Sequence, residues 1–210
     1  MAGLAVDAAV AELGGLPPGV ELSPPKRRLY EVALELFGEE GYHAVSIRDI
    51  ANVLGQQSSA IYFHVQSKQD LLYDLACIGH RSHHESLRDA LMGAGADPAD
   101  QLRAVVAAHV IVHLDYPSMA RLTNRELRAL TPEHLQDVLA IRTQSEQIFI
   151  DVIDRGVKLG EFTSNDSFLD AKVIGAMGVR LPEWWTPDSP RTREQIIDKY
   201  VAAAVKLVSA

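Results

Sequence analysis

The apolar residues of this chain recur at helical spacing, and the first helix that they predict begins after Ser23. Ser23 is a favourable N-cap, and Pro24 suits the first helical position because its missing N–H needs no partner there. The apolar positions that follow fall on one helical face: Leu29, Ala33, Leu36 and Phe37. Gly41 interrupts this pattern, so the first helix is predicted over Pro24–Glu40.

Further helix starts follow in quick succession. Ser46 and Asp49 have the spacing of a capping box, and the apolar residues behind them have the spacing of a short helix with one buried face. Gly55 closes this second helix, and a third is predicted over residues 57–64. Ser67, with an acidic residue three positions on, opens a fourth. Short helices joined through a tight glycine turn are typical of a helix-turn-helix.

The rest of the chain also has helical spacing. The predicted spans are 67–92, 98–115, 117–130, 132–159, 166–181 and 191–208. The segment PEWWTPDSP is predicted to be a loop because it contains three prolines. The sequence has no alternating strand pattern and no internal repeat, so the predicted fold class is all-α.

Composition limits the classes of protein that this chain can be. It has 210 residues, of which 47% are hydrophobic, and this is enough to bury a substantial core. No apolar stretch is long enough to span a bilayer, and residues 1–22 contain no Lys or Arg to begin a secretory signal. We therefore predict a soluble cytoplasmic protein without membrane contact, and we interpret residues 1–22 as a flexible arm. The single cysteine, Cys77, fits a reducing compartment.

The formal net charge of −8 disfavours general attraction to nucleic acid, so any contact with a polyanion must be local. One helix has residues suited to such a contact. A recognition helix in a major groove about 12 Å wide needs exposed side chains that are short or form hydrogen bonds. Gln56, Gln57, Ser58 and Ser59 meet that requirement, and Ala60 can touch a thymine methyl group.

The segment from Lys26 to Leu72 resembles the DNA-binding domain of the TetR family of transcriptional regulators. The resemblance rests on ALELFGEEGY, SIRDIA, Gly55, IYFHV and SKQDLL, all at the family's spacings. It implies an all-helical homodimer that binds a double-stranded DNA operator and responds to a small-molecule effector. The implied domains are a helix-turn-helix domain over 23–66 and a helical ligand-binding and dimerisation bundle over 67–210.

In the family pattern Tyr62, His64 and Lys68 reach phosphates, whereas Ile61 and Val65 face the core. The predicted DNA-binding residues are Lys26, Arg27, Arg28, Ser46, Arg48, Gln56, Gln57, Ser58, Ser59, Ala60, Tyr62, Phe63, His64 and Lys68. The three basic residues at the start of the first helix oppose its dipole, as does Arg48 in the second. Such a cluster suggests an external anion, most simply DNA phosphate, although a solvated charged surface is the alternative.

The resemblance also implies that the last two helices pair across a two-fold axis. The small residues of the penultimate helix would let another helix approach closely, in a partner or within the monomer: Ala171, Gly175, Ala176 and Gly178.

A basic and aromatic group of residues is one candidate effector site. It consists of Arg121, Asn124, Arg125, Arg128, Arg142, Arg180, Trp184 and Trp185. Guanidinium groups bind phosphates and carboxylates, which suits an amphiphile with an anionic head such as an acyl-CoA thioester. A looser resemblance of Arg121–Phe162 and IGAMGVRLPEWWTP to TetR-family members that control lipid, sterol or aromatic-acid catabolism implies the same ligand class. Alternatively, the arginines pair with acidic neighbours and the tryptophans anchor a dimer interface.

Histidines on the fourth and fifth helices form a second candidate site. They are His80, His83, His84, His109 and His113. Pairs spaced four apart can hold a metal such as Zn²⁺, although surface or hydrogen-bonded histidines are the alternative. No resident cofactor is predicted. The sequence lacks GxSxG, P-loop and GxGxxG motifs, which leaves an enzyme without support, and a helical interaction protein that does not bind DNA remains the other alternative.

Overall fold

The computed structural model describes residues 15–209, and every regular element in that range is helical, so the all-α prediction is confirmed for this part of the chain. The α-helices are α1 (Pro24–Glu40), α2 (Ile47–Val53), α3 (Ser58–Ile61), α4 (Lys68–Gly93), α5 (Pro98–Asp115), α6 (Pro117–Arg125), α7 (Pro132–Leu159), α8 (Ser167–Val179), α9 (Leu181–Trp184) and α10 (Arg193–Val208). A 3₁₀ helix, Glu126–Ala129, follows α6. Among these described helices, none combines the length and apolar character needed to cross a bilayer.

Two predicted helices and one predicted loop differ from the observed elements. Helix α3 is shorter than predicted because the N–H groups of His64 and Val65 both bond to the carbonyl of Ile61, which tightens the chain into a turn. The helix predicted over 117–130 narrows into the 3₁₀ helix after α6. Helix α9 lies where a loop was predicted, because Pro182 occupies its first turn, where a missing N–H leaves no bond unmade.

The predicted flexible arm is only partly within the described residues. Residues 1–14 lie outside them. In the remaining part, Leu16 and Pro17 are buried, and the Arg27 guanidinium donates a hydrogen bond to the carbonyl of Val20. This part of the predicted arm is therefore packed against the fold.

Contacts divide the chain into two compact units. One contains the residues up to His80 together with Tyr116–Leu139, and the other contains Arg81–Asp115 together with the residues from Ala140 onward. The first unit therefore includes α6 and the start of α7, which the division at residue 66 assigned to the ligand-binding domain. The boundary at residue 66 between a DNA-binding and a ligand-binding domain remains a prediction.

The first unit is held together by buried apolar side chains and by a few buried polar contacts. Tyr30 on α1 is fully buried, and its hydroxyl donates to Asp74 on α4. Burial, reinforced by this carboxylate, raises the pKa of Tyr30. Tyr42 donates to Gln69 Oε1 at 3.0 Å, and Gln69 Nε2 donates to the carbonyl of Ala129 at 3.0 Å. These bonds link α4 to the turn after α1 and to the 3₁₀ helix.

Helix α6 contacts both α1 and α4 closely. A Cβ atom added at Gly38 on α1 would lie 3.1 Å from the backbone oxygen of Ser118. A Cβ atom added at Gly79 on α4 would lie 2.6 Å from both Met119 Sδ and Thr123 Cγ2. The absence of side chains at these two glycines is therefore what allows α6 to lie so near its neighbours.

The second unit has a buried core formed by α5, α7, α8, α10 and the end of α4. Its members are Leu87, Leu102, Val105, Val106, Phe149, Val152, Ile153, Phe162, Ala171, Ile174, Ala204 and Val208. Arg193 at the start of α10 forms a bidentate pair with Asp115, with nitrogen to oxygen distances of 2.9 and 2.8 Å. This pair joins the end of α5 to the start of α10.

Candidate nucleic-acid interface and effector site

The helix-turn-helix is built from local signals that the sequence contains. Ser46 Oγ accepts from the Asp49 N–H at 3.2 Å, and the Asp49 carboxylate accepts from the Ser46 N–H at 2.8 Å, which completes the predicted capping box. These hydrogen bonds lower the pKa of Asp49. Gly55 has a φ of +66°, a left-handed value that glycine adopts at no steric cost. Ile61 and Val65 are buried, as the family pattern implies.

One face of this motif presents polar and aromatic groups to solvent. Seven predicted DNA-binding residues are exposed: Ser46, Arg48, Gln56, Gln57, Ser59, Tyr62 and Phe63. Tyr62 is 54% exposed and Phe63 is 87% exposed, so two adjacent aromatic rings lie in solvent on this face. Ser58, Ala60 and His64 are partly buried beside them. The exposed set contains amides and hydroxyls for base edges and one guanidinium for phosphate.

The basic residues at the start of α1 have partners within the protein. Arg27 donates to the carbonyl of Val20 and lies 3.6 Å from Glu31. Lys26 Nζ lies 5.1 Å from the centre of the Tyr30 ring. All three residues, including Arg28, are partly buried. An external anion is therefore not needed to explain this cluster, and its contact with DNA remains a prediction.

Lys68 is bound within the fold as well. Its ammonium group donates to the carbonyls of Tyr42 and Val45 at 2.7 and 2.6 Å, and it lies 4.0 Å from the centre of the Tyr42 ring. Burial lowers the pKa of Lys68. The side chain therefore joins the start of α4 to the connection between α1 and α2, whereas the family pattern implied a phosphate contact.

The predicted effector residues are divided between the two units. Arg121, Asn124, Arg125 and Arg128 belong to the first unit, and Arg142, Arg180, Trp184 and Trp185 belong to the second. Several of them have partners close by. Asn124 Nδ2 donates to the carbonyl of Ala120 at 2.7 Å, and Arg142 Nε lies 3.7 Å from Glu146. The effector site therefore remains a prediction.

Arg121 has a structural contact that its sequence context did not indicate. Its side chain is 14% exposed, and its guanidinium lies 2.6 Å from the Glu39 carboxylate on α1. It also donates to Ser118 Oγ at 3.3 Å, and Ser118 Oγ donates to Glu35 at 3.2 Å. The acidic neighbours expected for this arginine were on the same or the next helix, whereas the observed partner is on α1.

The two tryptophans have different environments. Trp185 packs against the small apolar cluster of Val110, Leu114, Leu181 and Ile196, and its Nε1 donates to the carbonyl of Arg191 at 2.9 Å. Trp184 is 51% exposed. Trp185 therefore has a structural role in its own unit, and Trp184 is the one available to a ligand or partner.

The histidines of α4 and α5 are brought together in a set that spacing alone did not predict. Ring nitrogens of His83, His109 and His113 all lie within 4.8 Å of one another. His109 and His113 are the predicted pair at a spacing of four, but His83 joins them in place of the His80 and His84 pair. The sequence named His83 among the candidate histidines, but no spacing could group it with His109 and His113, because that contact depends on how α4 and α5 pack.

An exposed helix-turn-helix face, in a chain whose described elements are all helical, is typical of a DNA-binding regulator. Residues 29–75 match the model described as bacterial regulatory proteins of the tetR family, and residues 95–208 match the tetracyclin repressor-like C-terminal domain. The chain belongs to the TetR family of transcriptional regulators. The family assignment that the sequence suggested is therefore confirmed.

Three relatives show how far the likeness extends. The chain is 23% identical to the HTH-type transcriptional repressor KstR2 of Rhodococcus jostii over 191 residues, which cover 89% of this chain and 93% of the relative. A regulatory protein of the tetR family from Rhodococcus RHA1 is 30% identical, with a TM-score of 0.85 over 90% of this chain and 99% of that one. AibR, in complex with isovaleryl coenzyme A and operator DNA, is 22% identical, with a TM-score of 0.79 over 85% and 96%.

Proposed function

We propose that the chain is a homodimeric repressor that binds a pseudo-palindromic operator and is released from it by an acyl-CoA thioester. The observation that carries the DNA-binding part is the exposed face of α2 and α3. There the capped α2 and the glycine turn support Gln56, Gln57, Tyr62 and Arg48 in contact with solvent. Two such motifs related by a two-fold axis would contact half-sites about one helical turn apart.

Substitutions can distinguish residues that contact bases from residues that contact phosphates. Gln57→Ala should cost about 1–3 kcal/mol of operator affinity and relax the sequence preference at one position. Arg48→Ala should weaken binding to all sequences and reduce the salt slope by about 0.9. Arg88→Ala, an exposed arginine on α4 outside the motif, is the matched control and should change neither quantity.

Fluorescence anisotropy with DNA from upstream of the chain's own gene measures these effects. Binding should be specific for one sequence, with a modest salt slope because the motif offers few exposed cations. Absence of sequence-dependent binding at every low salt concentration would refute the DNA-binding part.

The homodimer is supported by an apolar face on α8. Leu169 and Val173 are 56% and 48% exposed, and both lie on this helix. A Cβ atom at Gly175 would meet no atom within 4 Å, whereas one at Gly178 would lie 2.3 Å from His109 Nε2. Gly178 therefore serves packing within the monomer, whereas Gly175 has open space beside it on a different side of α8 from Leu169 and Val173.

Val173→Glu places a charge on this apolar face and should convert the dimer to a monomer with weakened operator binding. Val157→Glu is the control, because Val157 is an exposed valine on a different helix, α7. Size-exclusion chromatography with light scattering measures the mass of each variant. A monomeric wild type, or equal masses for the wild type and Val173→Glu, would contradict the proposed interface.

The effector class is supported by the arginines and by the relatives. AibR is described in complex with isovaleryl coenzyme A, and KstR2 of Mycobacterium tuberculosis is described as a ketosteroid transcriptional regulator. Exposed guanidinium groups such as those of Arg125 and Arg128 suit the phosphates of a coenzyme A head group. An effector of this kind must bind the DNA-free state more tightly than the DNA-bound state.

Titration of the protein–operator complex with acyl-CoA thioesters, free coenzyme A and free fatty acids tests this class. Thioesters should release the DNA at concentrations where the other two do not. Arg125→Ala should weaken release and leave unliganded affinity unchanged, whereas Arg121→Ala would also disturb α1 through Glu39. Failure of every thioester to release the operator would overturn the effector proposal and leave DNA binding untouched.

A further inference from the structure

Three imidazole rings meet between α4 and α5 in the second unit. His83 Nε2 lies 2.9 Å from His109 Nδ1, and the ring centres of His109 and His113 are 4.5 Å apart. His109 and His113 are buried, and His83 is partly buried. Three imidazole nitrogens with an open fourth position form a common ligand set for zinc.

Hydrogen bonds around the cluster determine which ring nitrogens carry protons. His109 Nε2 donates to the carbonyl of Gly175 at 3.1 Å, so the lone pair of His109 is on Nδ1, beside His83. His113 Nδ1 donates to the carbonyl of His109 at 2.8 Å, so the lone pair of His113 is on Nε2. Carbonyl contacts of this kind orient the histidines that bind metal ions in proteins.

We propose that His83 Nε2, His109 Nδ1 and His113 Nε2 form a site for a divalent first-row transition metal ion such as Zn²⁺, with the fourth coordination position open. Ligand nitrogens around tetrahedral zinc lie about 3.3–3.4 Å apart, given Zn–N bonds of about 2.0–2.1 Å. The contact between His83 and His109, now 2.9 Å, must therefore lengthen by a few tenths of an ångström. His83 can supply this movement because it is the least buried of the three.

Besides this movement, metal binding requires a change of tautomer in His83. In the hydrogen-bonded cluster the proton between His83 and His109 belongs to His83 Nε2, because His109 Nδ1 is the acceptor. When the ion binds, that proton leaves Nε2 and Nδ1 of the same ring takes one up from water, so the net number of protons on the site is unchanged.

Burial favours the form of the buried rings that binds metals. It lowers the pKa of His109 and that of His113, so both rings are neutral at pH 7. Arg142 also lowers both pKa values, as a smaller contribution, and its guanidinium lies 3.7 Å from Glu146.

Titration of the EDTA-treated full chain with Zn²⁺ against a coloured chelator tests the site without DNA, so its outcome is separate from that of operator binding. The wild type should bind one ion per chain. His83→Gln and His113→Gln should each weaken binding by more than about tenfold, since loss of an outer hydrogen bond alone costs that much. His84→Gln removes the next histidine on α4, outside the set of three, and should bind as the wild type does.

Substitution with Co²⁺ gives a second measurement, because the intensity of its visible absorption distinguishes four-coordinate from six-coordinate sites. An intense spectrum that His83→Gln abolishes would support the proposal. A wild type that binds no ion, or equal Zn²⁺ affinities for the wild type and His83→Gln, would overturn it. His83 is only partly buried, so His83→Gln should fold even if His113→Gln does not, and its Zn²⁺ affinity alone is enough to test the proposed site.

Discussion

Lys68 provides a test of whether a basic residue near the DNA-binding motif acts on DNA or on the fold. In Lys68→Met, two hydrogen bonds of 2.7 and 2.6 Å from the ammonium group are lost, and the carbonyls of Tyr42 and Val45 lose their partner. Hydrogen bonds that involve a charged group contribute about 1.5–3 kcal/mol, and a cation over an aromatic ring adds about 0.5–1 kcal/mol. Burial lowers the pKa of Lys68, so desolvation of the charge offsets most of this gain.

We therefore expect Lys68→Met to lose about 1–2 kcal/mol of stability. For a chain of this length that corresponds to a melting temperature lower by roughly 2–8 °C. Thermal unfolding followed by circular dichroism measures the loss, and amide hydrogen exchange should localise it to the connection between α1 and α2. Operator affinity should fall only because the DNA-binding motif is less ordered, and not because a phosphate contact is lost.

Arg48→Ala is the matched control for Lys68→Met, because Arg48 is an exposed basic residue of the same motif. It should leave the melting temperature nearly unchanged and weaken DNA binding directly. An unchanged melting temperature for Lys68→Met, together with a loss of operator affinity as large as that of Arg48→Ala, would refute the structural role of Lys68 and restore the phosphate contact that the family pattern implies.

Two further predictions concern packing and charge. In Gly156→Ala the new Cβ would lie 2.0 Å from the buried ring of Phe162. This clash should cost about 3 kcal/mol and outweigh a gain of about 1 kcal/mol in helix propensity, so denaturant unfolding should show a net loss of stability of roughly 2 kcal/mol. Gly93→Ala is the control and should show no loss, because its Cβ would meet no atom within 4 Å. Burial, with a contribution from Glu39, raises the pKa of Glu35, so the folded state binds more protons than the unfolded state as pH rises above about 4.5 and stability falls there. Glu35→Gln should therefore raise the melting temperature at pH 7 and not at pH 4, and equal effects at both pH values would exclude this cause.

Local signals in the sequence predicted most of the helix boundaries. The capping box of Ser46 and Asp49, the glycine turns and the prolines at helix starts act through neighbouring residues, so they are readable without a structure. Helix α9 was missed because Pro182 was taken as a breaker, although proline is compatible with a first helical turn.

The partners of candidate site residues were less predictable than the helices. Arg121 and Glu39 are 82 positions apart, and no periodicity along the chain relates them. Spacing found His109 with His113, because that pair lies within one helix, but the third histidine depends on how two helices pack. The exposure of Gln56, Gln57 and Ser59 was predictable because it follows from a short, locally determined motif, and their contact with DNA remains a prediction.

Gly38 and Gly79 have a consequence for engineering this regulator. Each allows α6 to approach a helix of the first unit, and each sits where a single methyl group would meet atoms of α6 at 3.1 Å or less. Alanine at Gly38 would press on the backbone of α6, whereas alanine at Gly79 would press on the flexible side chain of Met119 and on Thr123. Alanine at Gly38 should therefore change the spacing between these helices more than alanine at Gly79, and neither substitution alters a residue of the exposed helix-turn-helix face.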